Sequence, residues 1–290
     1  MDMIKKIEKN EILELIKGAI AEDMGSFGDI TSRYLMPEKQ KSNAYIICKE
    51  PGGAILSGID VATYIFGEID HKIKVEPLKN DGDSLESMDR ICDIRGSAAS
   101  VLKAERTCLN FIQHMSGIAT LTGKYSKIAS PYRVKIVDTR KTKPMLRKIE
   151  KYAVLCGGGF NHRFGLFDGI LIKDNHIAAA GGVLKAIGSI RASVPHTLKI
   201  EVEVKDFDEL DQALEGKADI IMLDNMALKE MRDAVAIIRK RRGETTIEAS
   251  GNVNLDTLED ICKTGIDIVS VGALTHSAPA IDFSLELATG

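Results

Sequence analysis

The chain has 290 residues, 44% of them hydrophobic, enough for one large α/β domain or a large one with a small companion. Its formal net charge of −3 argues against a generally basic nucleic-acid binder and turns attention to small ligands. No apolar run approaches the roughly 18 residues of a membrane span. The five dispersed cysteines (Cys48, Cys92, Cys108, Cys156 and Cys262) show neither C-x-x-C nor metal-type spacing, as expected of a reduced, cytoplasmic protein.

Residues 4–22 carry Ile4, Ile7, Ile12, Leu15, Ile16, Ala19 and Ile20 largely at helical spacing, which predicts a surface helix rather than the apolar core of a signal peptide. Asp29 and Thr31 sit in the turn-rich run 28–32, where capping is the ordinary use of such side chains and catalysis the rarer one. Residues 43–95 read as short β-runs punctuated by glycine, with a helical piece near 59–66, so a small α+β domain with an antiparallel sheet is expected. Residues 97–128 predict a long helix with a break at Ser116-Gly117; Val101, Leu102, Cys108, Leu109, Ile112, Met115 and Ile118 form its stripe. Arg106 lies at the edge of that stripe. By spacing alone it either snorkels or reaches into a site on its own or a neighbouring subunit.

From Tyr132 onward strands and helices alternate. The strand candidates are VKIVDTRK, GILIKDNH, LKIEVEV, ADIIMLDN, TIEAS and DIVSVG, with helices expected at 179–193, 207–214, 228–240 and 255–263. Continuous apolar runs ending in a polar residue mark parallel strands buried on both faces. An open (β/α) barrel or a doubly wound sheet both fit this alternation. The tail 279–287 looks β-like and is expected to return to the first domain. The predicted division is therefore an α+β sandwich over 1–115, rejoined by 276–290, and a barrel over 116–275.

The strand ends carry the chemistry. Arg140, Lys141, His162, Arg163 and Lys173 gather positive or potentially positive charge within residues 136–177, around the triple glycine 157–159. Such a cluster is costly unless an anion sits among the charges. Glu203 and Asp224 end the next strands and suit Mg²⁺ or sugar hydroxyls, with a salt bridge from Glu203 to Lys173 or Lys141 as the alternative. Ser250-Gly251-Asn252 and Gly272-Ala273 end the last strands, where free backbone N–H groups can hold a phosphate or simply turn the chain. A ligand matching all three zones has carboxylates, a polyol with metal, and a phosphate.

The segments AERTCLNFIQHMSGIATLT, VDTRKT, EKYAVLCGGGFNHRFGLFDGILIKDNHI, IEVEV, IIMLDN and SVGALTHSAPAIDFSLEL closely resemble the quinolinate phosphoribosyltransferase family, and the likeness runs from GDITS at 28–32 to the tail. The resemblance implies an α/β protein with a sandwich and an open barrel, assembled as a homodimer or a multiple of dimers with a shared active site. It implies a Mg²⁺-dependent reaction of quinolinate with 5-phosphoribosyl 1-diphosphate, giving nicotinate mononucleotide, diphosphate and CO₂. By the same resemblance Arg140, His162, Arg163 and Lys173 would hold the quinolinate carboxylates, joined by Arg106 of a partner subunit. Lys141 and Thr139 would face the diphosphate, and Glu203 and Asp224 would bind Mg²⁺ and the ribose hydroxyls. Ser250, Gly251, Asn252, Gly272, Ala273 and His276 would cradle the 5-phosphate. This chain has Asn252 where a second glycine also occurs in the family, an expected φ > 0 position that Asn tolerates next best. The rival readings are a non-decarboxylating sister transferase and a Schiff-base lyase built on Lys173.

Overall fold

A computed structural model describes residues 6–37 and 40–288, so Ile4 of the predicted first helix lies outside the described residues. Strands, in chain order, are β1 (Lys41–Cys48), β2 (Ala54–Ile55), β3 (Lys74–Pro77), β4 (Ser84–Leu85), β5 (Arg90–Ser97), β6 (Lys135–Val137), β7 (Ile170–Ile172), β8 (Ile200–Val204), β9 (Ile220–Asp224), β10 (Thr246–Ser250), β11 (Ile268–Ser270) and β12 (Phe283–Leu287). Contacts divide the chain into two compact units. The first takes the chain up to Gly123, Thr142–Gly158 and the part from Ala273 on; the second takes Lys124–Lys141 and Gly159–Gly272. The sequence boundaries place 142–158 in the barrel, whereas its contacts belong to the first unit.

The first unit is built on an antiparallel sheet ordered β12-β1-β5-β3. Ile46 faces Leu285 on one side and Cys92 on the other, so the returning tail closes the edge of β1. Ile46, Cys92, Ile94, Ile65 and Phe66 are fully buried and form the core with the helix Ile59–Ile69. Asp29 has the capping role: its carboxylate accepts from the Ser32 N–H at 3.0 Å and opens the helix Ile30–Leu35.

The long helix is one element, Ala98–Ala129, without the break expected at Ser116-Gly117. Ser116 Oγ accepts from the Ser57 N–H and donates to the Ser57 carbonyl, while a Cβ on Gly117 would lie 2.1 Å from the Pro279 carbonyl oxygen. Both residues are therefore docking points on a continuous helix. A helix that the periodicity misses, Arg147–Cys156, buries Glu150 and Lys151 completely or nearly so. Buried charge broke its apolar pattern. Glu150 is compensated by His114 Nε2 at 2.8 Å and by the Lys143 N–H at 3.1 Å.

The second unit is a six-stranded parallel sheet ordered β6-β11-β10-β9-β8-β7. Its first strand pairs with its last, Ile136 aligned with Val269, while β6 and β7 do not pair. That order is an open barrel and sets aside the doubly wound alternative, in which the first strand sits centrally. Helices Phe207–Glu215, Leu228–Arg241 and Leu255–Cys262 follow the strands as expected. The segment expected as one helix over 179–193 is two, Asp174–Ala180 and Val183–Arg191, parted by Gly181 and Gly182 at φ 77° and 129°.

Candidate active site

The C-terminal ends of all six barrel strands surround one cavity of about 610 Å³. Thr139, Arg140 and Lys141 follow β6, His162 and Arg163 lie on the loop before β7, and Lys173 follows β7. Glu203 projects from β8, Asp224 ends β9, and Ser250-Gly251-Asn252 ends β10; all of these line the cavity. Gly272 follows β11 in the second unit but does not line it. Ala273, His276 and Arg106 belong to the first unit, with Arg106 exposed on the helix Ala98–Ala129.

Arg140, Lys141, Arg163 and Lys173 all line this cavity. Burial, and then the neighbouring Arg140 guanidinium, press the Arg163 pKa below its usual value. The Arg163 guanidinium donates to the Gly169 carbonyl at 3.1 Å, and a Cβ on Gly169 would lie 3.1 Å from Arg163 Cβ. Asp168 holds the same loop from its other end, accepting from the Phe164 and Gly165 N–H groups at 2.7 and 2.8 Å. Thr139 Oγ1 accepts from the Lys141 N–H at 3.0 Å and so tightens the turn that presents Lys141.

The Glu203 carboxylate meets the Lys173 ammonium, the salt bridge weighed from sequence as the alternative to a metal role. The ion pair engages the amine that a Schiff-base lyase would need free for its carbonyl substrate. Glu203 and Asp224 remain two cavity-lining carboxylates on neighbouring strands, a hard oxygen donor set that fits Mg²⁺.

His162 is held differently from a free cation. Its Nδ1 accepts from the Arg163 N–H at 2.7 Å, which leaves the ring proton on Nε2. Nε2 faces Glu201 at 3.2 Å and Glu248 at 3.8 Å. The His162 N–H in turn donates to the fully buried Asp138 at 2.9 Å. His162, Glu201 and Glu248 offer ligand atoms within 4.8 Å of one another. With a proton on Nε2 the imidazole has no lone pair for a cation, so the trio does not fit a metal. It is a polar layer bordering a smaller cavity of about 280 Å³, which shares His162 and Arg163 with the main one.

Sequence reasoning places Asn225 beside Asp224 on the strand-end rim without giving it a role, and leaves Asp138 and Glu248 outside the site. Asn225 was visible as the residue after a strand-ending Asp; Asp138 and Glu248 read as ordinary strand-end and strand residues, and only the register shows what they face.

Two family models span the chain: the N-terminal domain of quinolinate phosphoribosyl transferase matches residues 29–116 and its C-terminal domain residues 118–286. The chain belongs to the quinolinate phosphoribosyl transferase family. A tobacco relative, the mitochondrial decarboxylating quinolinate phosphoribosyltransferase 2b of Nicotiana tabacum, is 42% identical over 96% of this chain and 83% of its own length. A probable carboxylating nicotinate-nucleotide pyrophosphorylase of Methanocaldococcus jannaschii is 43% identical, covering 96% of this chain and 98% of that protein. Among solved structures, the nicotinate-nucleotide pyrophosphorylase of Francisella tularensis superposes with a TM-score of 0.92 at 43% identity, over 99% of this chain and 100% of that one. The quinolinate phosphoribosyl transferase fold thus extends over nearly the whole chain. No helix among the described residues is long and apolar enough to cross a membrane.

Proposed function

We propose that the protein joins quinolinate to 5-phosphoribosyl 1-diphosphate and releases nicotinate mononucleotide, diphosphate and CO₂. The observation that carries this reading is the lining of one cavity: Arg140, Arg163 and Lys173 around β6 and β7, Glu203 and Asp224 from β8 and β9, and Ser250-Gly251-Asn252 at the end of β10. Each set matches one part of the two substrates.

Arg140, Arg163 and Lys173 hold the two ring carboxylates, the arginines through paired N–H donors that fix the ring plane. His162 serves this group by fixing Arg163 through the Nδ1 contact. Lys141 neutralises the departing diphosphate. As the C1–oxygen bond of the sugar breaks, the ring nitrogen attacks C1, and Glu203 and Asp224 stabilise positive charge on the ribose. The new N⁺ then stabilises the electron pair left on C2 when its carboxylate departs as CO₂, and that pair takes up a proton at C2. Fixed cations and exclusion of water favour that loss. Mg²⁺, held by Glu203 and Asp224 when bound, supplies charge neutralisation for the diphosphate.

The reading assembles the protein as a homodimer or a multiple of dimers, in which exposed Arg106 of each subunit completes the carboxylate site of its partner. Five free, buried thiols suit a reducing cytoplasm, and neither nucleic acid nor membrane enters the reading.

The test is CO₂ release from carboxyl-labelled quinolinate with 5-phosphoribosyl 1-diphosphate and Mg²⁺, beside a parallel nicotinate assay. CO₂ and nicotinate mononucleotide should appear together. Nucleotide formed from nicotinate alone would move the protein to the sister activity, and silence in both assays would remove the pyridine substrate.

A further inference from the structure

Two asparagines at adjacent strand ends adopt left-handed backbone. Asn225 follows β9 at φ 53°, and Asn252 lies two residues beyond β10 at φ 50°. A non-glycine residue in this region carries strain, and Asn tolerates it best because its short side chain bonds locally. Here those bonds form a chain. The Asn225 N–H donates to the Ser250 carbonyl at 2.9 Å, one residue past the aligned pair Asp224–Ser250. Asn225 Nδ2 donates to Asp224 Oδ2 at 3.0 Å, and Asn252 Nδ2 donates to Asn225 Oδ1 at 3.0 Å.

Chemistry dictates the direction of that chain. The Asp224 carboxylate only accepts, so the Asn225 amide must turn its nitrogen toward it. Its oxygen then faces Asn252, which must present a donor. Gly251 lets the amide lie there: a Cβ at that position would stand 2.2 Å from Asn225 Oδ1. Asn225, Gly251 and Asn252 thus form one interlocked corner of the cavity.

We propose that Asn225 is a positioning residue that sets the span between the sugar-binding carboxylate of Asp224 and the phosphate turn Ser250-Gly251-Asn252, selecting a pentose 5-phosphate. This rests on the phosphosugar reading of the cavity. Asn225 occupies one oxygen of Asp224 and leaves the other to the ligand. Through Asn252 it holds the phosphate turn at a fixed distance. Asn252 is the locking partner, a role that a glycine in its place could not fill.

The experiment measures ribose 5-phosphate binding by calorimetry, the separate KM values of the two substrates, and thermal melting of the unliganded protein. Asn225→Gly keeps the left-handed backbone and removes the amide. It should weaken ribose 5-phosphate binding and raise the KM for 5-phosphoribosyl 1-diphosphate by about tenfold, with the quinolinate KM within about twofold. Asn225→Asp sets a second carboxylate against Asp224 and should cost more. Asn252→Gly should cost about threefold alone and almost nothing further when added to Asn225→Gly, because the bond it would break is already gone. Native-like binding by Asn225→Gly, or an equal rise in both KM values, overturns the proposal. Should the wild-type protein fail to bind ribose 5-phosphate, the phosphosugar reading and the span it defines both fall. The melting temperatures of the same variants still report the Asn225–Asn252 bond by itself: sub-additive losses show that the lock exists, and strictly additive ones remove it.

Discussion

Glu248 shows how far a buried carboxyl can be moved by its surroundings. Burial first, then the negative charge of Glu201, push its pKa up to about 7, while His162 works in the opposite direction. One of its oxygens makes no hydrogen bond of ordinary geometry among the described residues. The folded protein therefore holds a proton that the unfolded chain releases near the ordinary carboxylate range. Stability from this group is complete below that range and is lost as pH rises through about 7. The loss amounts to at most a few kcal/mol, since one pKa unit is worth about 1.4 kcal/mol. Glu248→Gln, which mimics the protonated acid, should flatten the fall in melting temperature between pH 5 and pH 8 (a window chosen to bracket about 7) and leave the variant more stable at its alkaline end. An unchanged slope would assign the pH dependence to other groups. None of this was legible in TIEAS, where Glu248 is one polar residue in a strand. The alternation of Glu201 and Glu203 was legible, and so was a Glu203–Lys173 ion pair as one alternative; that Glu201 faces His162 depends on the loop before β7, which no spacing encodes.

At the scale of elements, the barrel strands were the easiest to read. A parallel strand covered on both faces is apolar until it ends, so its first polar residue marks the functional rim. Lys173 and Asp224 follow this rule, whereas the buried Glu248 interrupts β10 ahead of Ser250. The rule fails where charge is buried for structural reasons, as with Glu150 and Lys151 in the missed helix. It also fails where glycine is used for contact. Gly117 suggested a break, but it admits the Pro279 carbonyl against an intact 32-residue helix. Gly117→Ala should therefore destabilise the protein by about 1–3 kcal/mol through overpacking against backbone, although alanine has the better helix propensity. Urea denaturation followed by circular dichroism measures this. A neutral or stabilising outcome would mean that the tail segment around Pro279 yields at little cost.

At the scale of the molecule, the cavity belongs to the second unit, yet the proposed reaction draws on a residue of the first. The sequence could not decide whether Arg106 snorkels, because a spacing argument sees one chain. Its exposure on the helix Ala98–Ala129 suits delivery to a neighbouring subunit. Lys141→Ala should lower turnover by at least about a hundredfold with the fold intact, since it removes charge stabilisation at the departing diphosphate. Arg106→Ala should also be severely impaired, chiefly at quinolinate saturation. The two defects sit on different subunits of any one site if the site is shared. A heterodimer of Arg106→Ala with Lys141→Ala, isolated by two affinity tags, then holds one site with both residues and one with neither. Its turnover should return to about half that of the wild-type dimer, a recovery that follows from the two-fold arrangement alone. Turnover no higher than that of the two parent variants, in a heterodimer of verified composition, would place Arg106 outside the partner's site and return it to the snorkelling role.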